Sequence, residues 1–421
     1  MGKTMAEKIL TRASGREIVN PGEFVTANVD IVMGHDRSFW AAYLAMTQNG
    51  FERVFDPDKI VVIIDHAVPA LNVRAAEVHK QIREWVKTQN IRNFYDCGIG
   101  ICHQVLPEGG HALPGRLIVG GDSHTTTYGA LGVASCGIGI SDLAYVMAKG
   151  SLWFMVPETI RFQLTGTLQP GVSAKDIILK IAGDYTAEVA QYKAVEFAGP
   201  AAKALSIDGR MTISNMGVEI GTKFAFFETD EKTEAFLRGR TNEPVESFGP
   251  DPDASYLEFY EMDVSALEPH VACPHNVDNV KPISEIGDVP ANQAFLGSCT
   301  NARVEDLERA AAILKGKTVD PQTRLLVIPA SHEIYRRAME SGAIQTLLEA
   351  GAMLAPSGCG PCGGGHMGVL APGEIAISTT NRNFKGRMGS PESFVYLGSP
   401  ETVAASAIEG KIADPRKYLT G

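Results

Sequence analysis

Ala294-Phe-Leu-Gly-Ser-Cys-Thr-Asn301 is a short apolar run that stops abruptly in a polar cluster, and the chain repeats this design four more times. Residues 60–64 run into Asp65-His66, and 117–119 run into Gly120-Gly-Asp-Ser-His124. Residues 325–328 run into Pro329-Ala-Ser-His332, and 376–378 into Thr379-Thr-Asn-Arg-Asn383. Short apolar runs bounded by turn-forming residues read as buried strands. Between them lie stretches of helical periodicity with capping residues. Ser141 opens a predicted helix over 142–154, Ser173 opens one over 174–182, and 305–314 carries an Ala/Leu-rich face. Strands alternating with helices predict an α/β fold with mainly parallel sheets. Ligands in such sheets bind beyond the carboxyl ends of the strands, which is where the five polar clusters fall.

A chain of 421 residues exceeds what one core ordinarily serves, so two or three domains are expected. Breaks near residues 158 and 284 divide it into 1–158, 159–283 and 284–421. Residues 243–263, rich in Pro, Asp, Glu and Ser, read as a loop excursion. Residues 276–290, with Pro282 and Pro290, read as a linker. A hydrophobic content of 44% and a charged content of 21% are those of a soluble globular protein. The net charge of −11 argues against a nucleic-acid surface, which needs clustered Lys and Arg. No signal-peptide core opens the sequence and no apolar run reaches membrane-spanning length. Seven cysteines are an odd and sparse set, unlike a disulfide framework, and point to a reducing cytoplasm.

Gly358-Cys-Gly-Pro-Cys-Gly-Gly-Gly-His366 brings two thiols within reach of one metal centre, with glycines that let the backbone approach closely. Three readings stand side by side. A zinc site would ordinarily want a second C-x-x-C or a His pair, and neither is present. A thioredoxin-type redox pair is the second reading. An iron–sulfur site needs more thiolates, and Cys299 in Gly297-Ser-Cys-Thr-Asn301 supplies a third. Three cysteines on a four-iron cluster leave one iron without a thiolate, and that iron can act as a Lewis acid. Cys97, Cys102, Cys136 and Cys273 read as structural thiols. Gly363, Gly365 and Gly368 satisfy a dinucleotide-loop pattern only formally, because no strand precedes them.

These stretches, with others in the same order along nearly the whole chain, resemble the aconitase superfamily. Asp65-His66 is similar to that family's Asp-His pair, Gly100-Ile-Cys-His-Gln104 to its Ile-His-Gln segment, and Gly121-Asp-Ser-His124 to its Asp-Ser-His segment. Ser214-Asn-Met-Gly-Val-Glu219 resembles its Asn-Met-Gly-x-Glu motif, and Asn381-Arg-Asn-Phe-Lys-Gly-Arg387 its Asn-Arg-Asn-Phe-x-Gly-Arg loop. The two cysteine stretches resemble its cluster-binding motifs.

The resemblance implies three aconitase-like α/β domains around a central [4Fe–4S] cluster on Cys299, Cys359 and Cys362. It implies reversible removal and addition of water on a hydroxy di- or tricarboxylate. His66, oriented by Asp65, is expected to deliver the proton to the departing hydroxyl. Asp122 and His124 form a second expected acid–base pair, joined by His103. Glu219 is expected to hold the water or hydroxyl on the iron, with Asn215 one helical turn earlier on the same face. Arg382 and Arg387 are expected to clamp substrate carboxylates, with His35 and Ser123 as further substrate contacts. Ser298 and Asn301 are expected to line the cluster, while His366 stays outside the ligand set.

Single-chain aconitases add a fourth, swivelling domain that supplies a catalytic Ser and an Arg. This sequence runs about 34 residues past Arg387, too few for it. Family members of this length, isopropylmalate isomerases and related enzymes, carry that domain on a separate small subunit, the partner expected here. Departures from the isopropylmalate isomerase pattern are Arg37-Ser-Phe-Trp40, where small Thr and Gly residues are usual, and Gly363-Gly-Gly365 after the cysteines. They either remodel the pocket or pack a helix, and leave dimethylmalate dehydratase and homoaconitase as alternatives to isopropylmalate specificity. An RNA-binding role, known among longer single-chain relatives, is disfavoured by the acidic composition.

Overall fold

The computed structural model describes residues 2–419. In a first sheet, Asn93–Tyr95, Ile60–Ile63, Ile31–His35, Leu117–Gly120 and Ala134–Gly137 lie side by side in that order, every pair parallel. Every residue of Ile60–Ile63 and of Leu117–Gly120 is buried. Parallel strands covered on both faces read as unbroken apolar runs, which is why these were legible. A second sheet orders Phe224–Phe227, Ala194–Ala198, Thr159–Thr165 and Glu258–Asp263, again all parallel. A third has seven strands, with Gln293–Leu296 between Ile375–Ser378 and Arg324–Val327 at its parallel centre. His270–Ala272 and Val280–Pro282 finish one edge of it antiparallel. The expected α/β class with mainly parallel sheets is the one found.

Three local expectations need correcting. The helix expected over 142–154 is Ile140–Lys149, and Trp153 and Phe154 lie in the strand Ser151–Met155, antiparallel to Phe24–Asn28. Gly150, at φ 73°, ends the helix in the left-handed conformation that glycine tolerates. Beyond it, buried Leu152 and Phe154 alternate with exposed Trp153, a period of two rather than 3.6. The loop expected over 243–263 ends in the strand Glu258–Asp263, where Met262 alone is buried, so the composition of an edge strand passed for a loop. The linker expected over 276–290 contains the short strand Val280–Pro282.

The 3-10 helix Ser123–Leu131 fixes the middle of the molecule by packing on the helix Ile207–Met216 and the strand Phe224–Phe227. A Cβ added at Gly129 would lie 1.8 Å from the carbonyl oxygen of Ala225. No side chain fits that approach, so Gly129→Ala is expected to cost about 3 kcal/mol through forced backbone shifts. Chemical denaturation checks this: an unchanged midpoint would mean the two segments separate freely. Among the described residues, no helix is long and apolar enough to cross a membrane.

Candidate active site

Strand ends deliver most of the singled-out residues to one place. Ile31–His35 ends on His35, Ile60–Ile63 leads into Asp65 and His66, and Leu117–Gly120 leads into Asp122, Ser123 and His124. Gln293–Leu296 leads to Cys299, and Ile375–Ser378 to Asn381 and Arg382. Cys359 and Cys362 sit on the short turn around Gly360–Gly363, and His103 lies in the first turn of Cys102–Glu108. A cavity of about 230 Å³ is lined by the three cysteines with His35, His66, His103, Asp122, Ser123, His124, Arg382 and Arg387. Asp65 and Asn215 stand behind its wall and act on residues that line it, while Glu219 lines an adjoining cavity of about 490 Å³ that shares Arg382.

Asp65 is buried and divides its carboxylate. One oxygen lies 2.7 Å from His66 Nδ1 and the other accepts the Cys102 N–H at 2.7 Å. Asp36 accepts the backbone N–H groups of His66 and Ala67 at 2.9 and 3.0 Å, pinning the loop that carries the pair. His35 stacks on His66 with ring centroids 3.8 Å apart, and both Nε2 atoms lie 3.5 Å from Asp122 Oδ2. Asp122 Oδ1 meets His103 Nε2 at 2.9 Å and accepts the His124 N–H at 2.8 Å. His124 Nε2 lies 2.8 Å from Glu219, which Arg382 meets at 2.7 Å.

This network separates the charge states of the two stacked imidazoles. Burial opposes charge on His66, but the Cys359 sulfur, Asp65 and Asp122 outweigh it and hold its pKa well above the usual imidazole range. Burial together with the neighbouring His66 charge pushes His35 down to about 4. Asp122 and Glu219 resist burial in the opposite sense. The imidazoles of His103 and His124 hold Asp122 well below the usual range, and His124 with Arg382 lowers Glu219. Titratable neighbours driven apart in this way are the mark of assigned acid and base roles.

The family model described as Aconitase family (aconitate hydratase) matches residues 7–410. The chain belongs to the aconitase family. Over 415 residues it is 52% identical to a protein of Methanothermobacter thermautotrophicus named probable 3-isopropylmalate dehydratase large subunit, covering 99% of each chain. Over 419 residues it is 52% identical to the 3-isopropylmalate dehydratase large subunit 1 of Methanopyrus kandleri, covering 100% of each. It is also 51% identical over 391 residues to a probable methanogen homoaconitase large subunit of Methanosarcina mazei, covering 93% of this chain and 99% of that one.

The aconitase family generally uses a [4Fe–4S] cluster, and the cysteine surroundings here fit one. Burial pushes the Cys359 thiol up to about 12 and Cys299 higher still. A redox or nucleophilic C-x-x-C has its thiol pKa lowered instead, and the raised Cys359 does not follow that pattern. Among the described residues, the three sulfurs do not all lie within 4.8 Å of one another. A single tetrahedral ion with bonds of about 2.3 Å would hold them roughly 3.8 Å apart, closer than these sulfurs stand. N–H donors also converge on the sulfurs: Asn215 and Asn381 reach Cys299 Sγ at 3.2 and 3.5 Å, and Arg387 reaches Cys362 Sγ at 3.4 Å. His366 turns its Nε2 to the Val68 carbonyl at 3.0 Å and stays outside. His35, Asp36, Asp65 and His66 also bring ligand atoms within 4.8 Å of one another, a proximity their mutual hydrogen bonds and stacking account for.

Several expectations shift here. Asn215 does not share a regular helical face with Glu219, because the helix ends at Met216 and Glu219 lies in the 3-10 turn Gly217–Ile220. The amide of Asn215 is fully engaged by Thr127, Thr300, Asn381 and Cys299, so it faces the sulfur rather than the cavity. Asn301 bonds Thr212 and Asp306, and the Ser298 hydroxyl accepts the Thr300 N–H, so neither reaches a sulfur. Of the four other cysteines, expected as buried structural thiols, Cys136 is buried, Cys102 is buried but lines the cavity, and Cys97 and Cys273 are only partly buried. Phe39 packs against Trp85, Trp40 packs near Tyr43 while also lining a groove of about 600 Å³ beside Arg37, and Arg37 lines the cysteine cavity as well.

Two buried cations escaped sequence reading. Arg303 donates to the carbonyls of Cys299 and Thr300 at 2.9 and 2.8 Å, and Lys175 to those of Thr379 and Thr380 at 2.9 and 2.6 Å. Burial pushes Lys175 down to about 7. A lysine in the first turn of a helix, against the macrodipole, is the one signal that could have marked it.

Proposed function

We propose that this chain is the large subunit of a hydro-lyase of the 3-isopropylmalate dehydratase kind, binding a [4Fe–4S] cluster on Cys299, Cys359 and Cys362. It acts in the cytoplasm, in three domains spanning 1–158, 159–283 and 284–421, with a small subunit that carries the swivelling domain. The single observation carrying the reading is the Asp65–His66 pair and the Asp122–His103–His124 group on the walls of the cavity that holds the three cysteines. Held by Cys299, Cys359 and Cys362, the cluster would supply Lewis-acid chemistry toward a hydroxyl and a carboxylate of the substrate.

The chain's own groups do the rest. His66 carries a proton and is held in one orientation by Asp65, so it delivers that proton to the departing hydroxyl. Asp122 holds His103 and takes up the field of the stacked His35–His66 pair. Glu219, kept ionised by His124 and Arg382, orients the water that leaves or returns. Arg387, Arg382 and Ser123 bind substrate carboxylate or hydroxyl oxygens. The C–H bond lies beside a carboxylate and needs a base, which the swivelling domain's serine provides. A second reading, homoaconitase, draws on the 51% identity to a relative of that name.

The test is to co-express the chain with candidate small subunits and assay hydration of isopropylmaleate, dimethylmaleate and homoaconitate. Hydration by the pair but not by the chain alone is the expected result. Turnover by the chain alone would overturn the two-subunit reading, and no turnover of any substrate by any pair would overturn the hydro-lyase reading.

A further inference from the structure

Three arginines line the cavity, and two of them are already engaged. Arg382 pairs with Glu219 at 2.7 Å, and Arg387 donates to Cys362 Sγ at 3.4 Å. Arg37 has no carboxylate partner among the described residues, although it follows the buried Asp36 and stands on the cavity wall. Its backbone N–H donates to His35 Nδ1 at 3.3 Å, which ties it to the stacked histidine pair. It also begins the helix Ser38–Gln48, whose N-terminus receives no side-chain cap from it, so the guanidinium is left free of that duty.

The loop after the cysteines makes room for this side chain. A Cβ at Gly363 would lie 3.1 Å from Arg37 Nη1, and one at Gly365 would lie 3.6 Å from Nη2. The guanidinium rests on bare backbone, and branched residues there would displace it. Arg37 also lines a second, more open groove of about 600 Å³, so one guanidinium borders both spaces. An exposed guanidinium keeps its hydration and costs little to leave unpaired, and a carboxylate arriving there gains a charge-assisted, bidentate contact.

We propose that Arg37 is a carboxylate-binding residue of this site, receiving one of the two carboxylates of the dicarboxylate substrate. The proposal rests on the hydro-lyase reading. It assigns to the large chain a cationic contact beyond Arg382 and Arg387, and it explains the pairing of an arginine at 37 with glycines at 363 and 365.

The experiment uses the two-subunit holoenzyme with 2-isopropylmaleate and its monoamide, in which one carboxylate is made neutral. Arg37→Ala is expected to raise KM for the diacid roughly 10–100-fold, the range for losing a charge-assisted hydrogen bond, with kcat and iron content little changed. Arg37→Lys should restore part of that loss. The monoamide blocked at the Arg37-bound carboxylate should bind equally weakly to the unsubstituted and Arg37→Ala enzymes, the coupling that identifies a direct contact. An unchanged KM, or equal losses for the diacid and for both monoamides, would overturn the proposal while leaving the hydro-lyase reading standing. Failure of the unsubstituted holoenzyme to hydrate the diacid or any other unsaturated dicarboxylate would overturn both.

Discussion

Cys299→Ser is expected to abolish cluster assembly, taking with it the iron content, the brown absorbance of anaerobically prepared protein and all activity beyond background. The reason is local. Cys299 is buried and receives two amide donors, from Asn215 and Asn381, placed for a sulfur that carries negative charge. A serine hydroxyl is shorter and resists deprotonation in such surroundings, so the site loses one of only three ligands. The loss of a Lewis acid worth several kcal/mol corresponds to a rate decrease on the order of 10³-fold or more. Iron and sulfide analysis beside an ultraviolet–visible spectrum decides the matter, and a four-iron spectrum retained in Cys299→Ser would refute the ligand assignment. The same substitution at Cys97, which lies away from the cavity, should leave iron content unaltered.

His66→Ala is expected to lower kcat by about 10²–10⁴-fold, the range for losing a positioned general acid, while iron content stays at the unsubstituted level. That combination distinguishes it from the cysteine variant, because His66 is a proton carrier and not a ligand in this reading. Asp65→Asn should give a smaller fall in kcat. The amide keeps the shape but loses the charge that orients and protonates the imidazole 2.7 Å away. Steady-state hydration with the assembled enzyme makes the measurement, and a kcat for His66→Ala within threefold of the unsubstituted value would remove His66 from the acid role.

The α/β class was legible because strands buried on both faces have nowhere to place polar residues. Ile60–Ile63 and Leu117–Gly120 therefore announced themselves as unbroken apolar runs, and the polar residues ending them marked the carboxyl edge of the sheet. Periodicity failed where burial was one-sided. Glu258–Asp263 buries one residue of six, so nothing in its composition separates it from a loop until the edge of Thr159–Thr165 offers it hydrogen bonds. Residues 151–155 were absorbed into the preceding helix because the decisive event is a backbone one, the left-handed turn at Gly150.

At the site, sequence by itself determined which residue types were available and that seven ordered stretches, two of them carrying cysteines, match one family pattern. Only the tertiary structure decided their partners. His66 acquires its charge from Asp65, Asp122 and Cys359, which come from three separate segments, and His35 loses its own because it stacks on His66. Asn215, which the sequence offered as a further substrate contact, has its amide consumed by four buried neighbours, and Arg37, which the sequence left undecided, stands on the cavity wall beside Gly363 and Gly365. The physical reason is the same in each case. A side chain's chemistry is set by burial and by the charges around it, and both depend on segments separated by up to hundreds of residues, whereas strand and helix patterns are set by neighbours a few positions away.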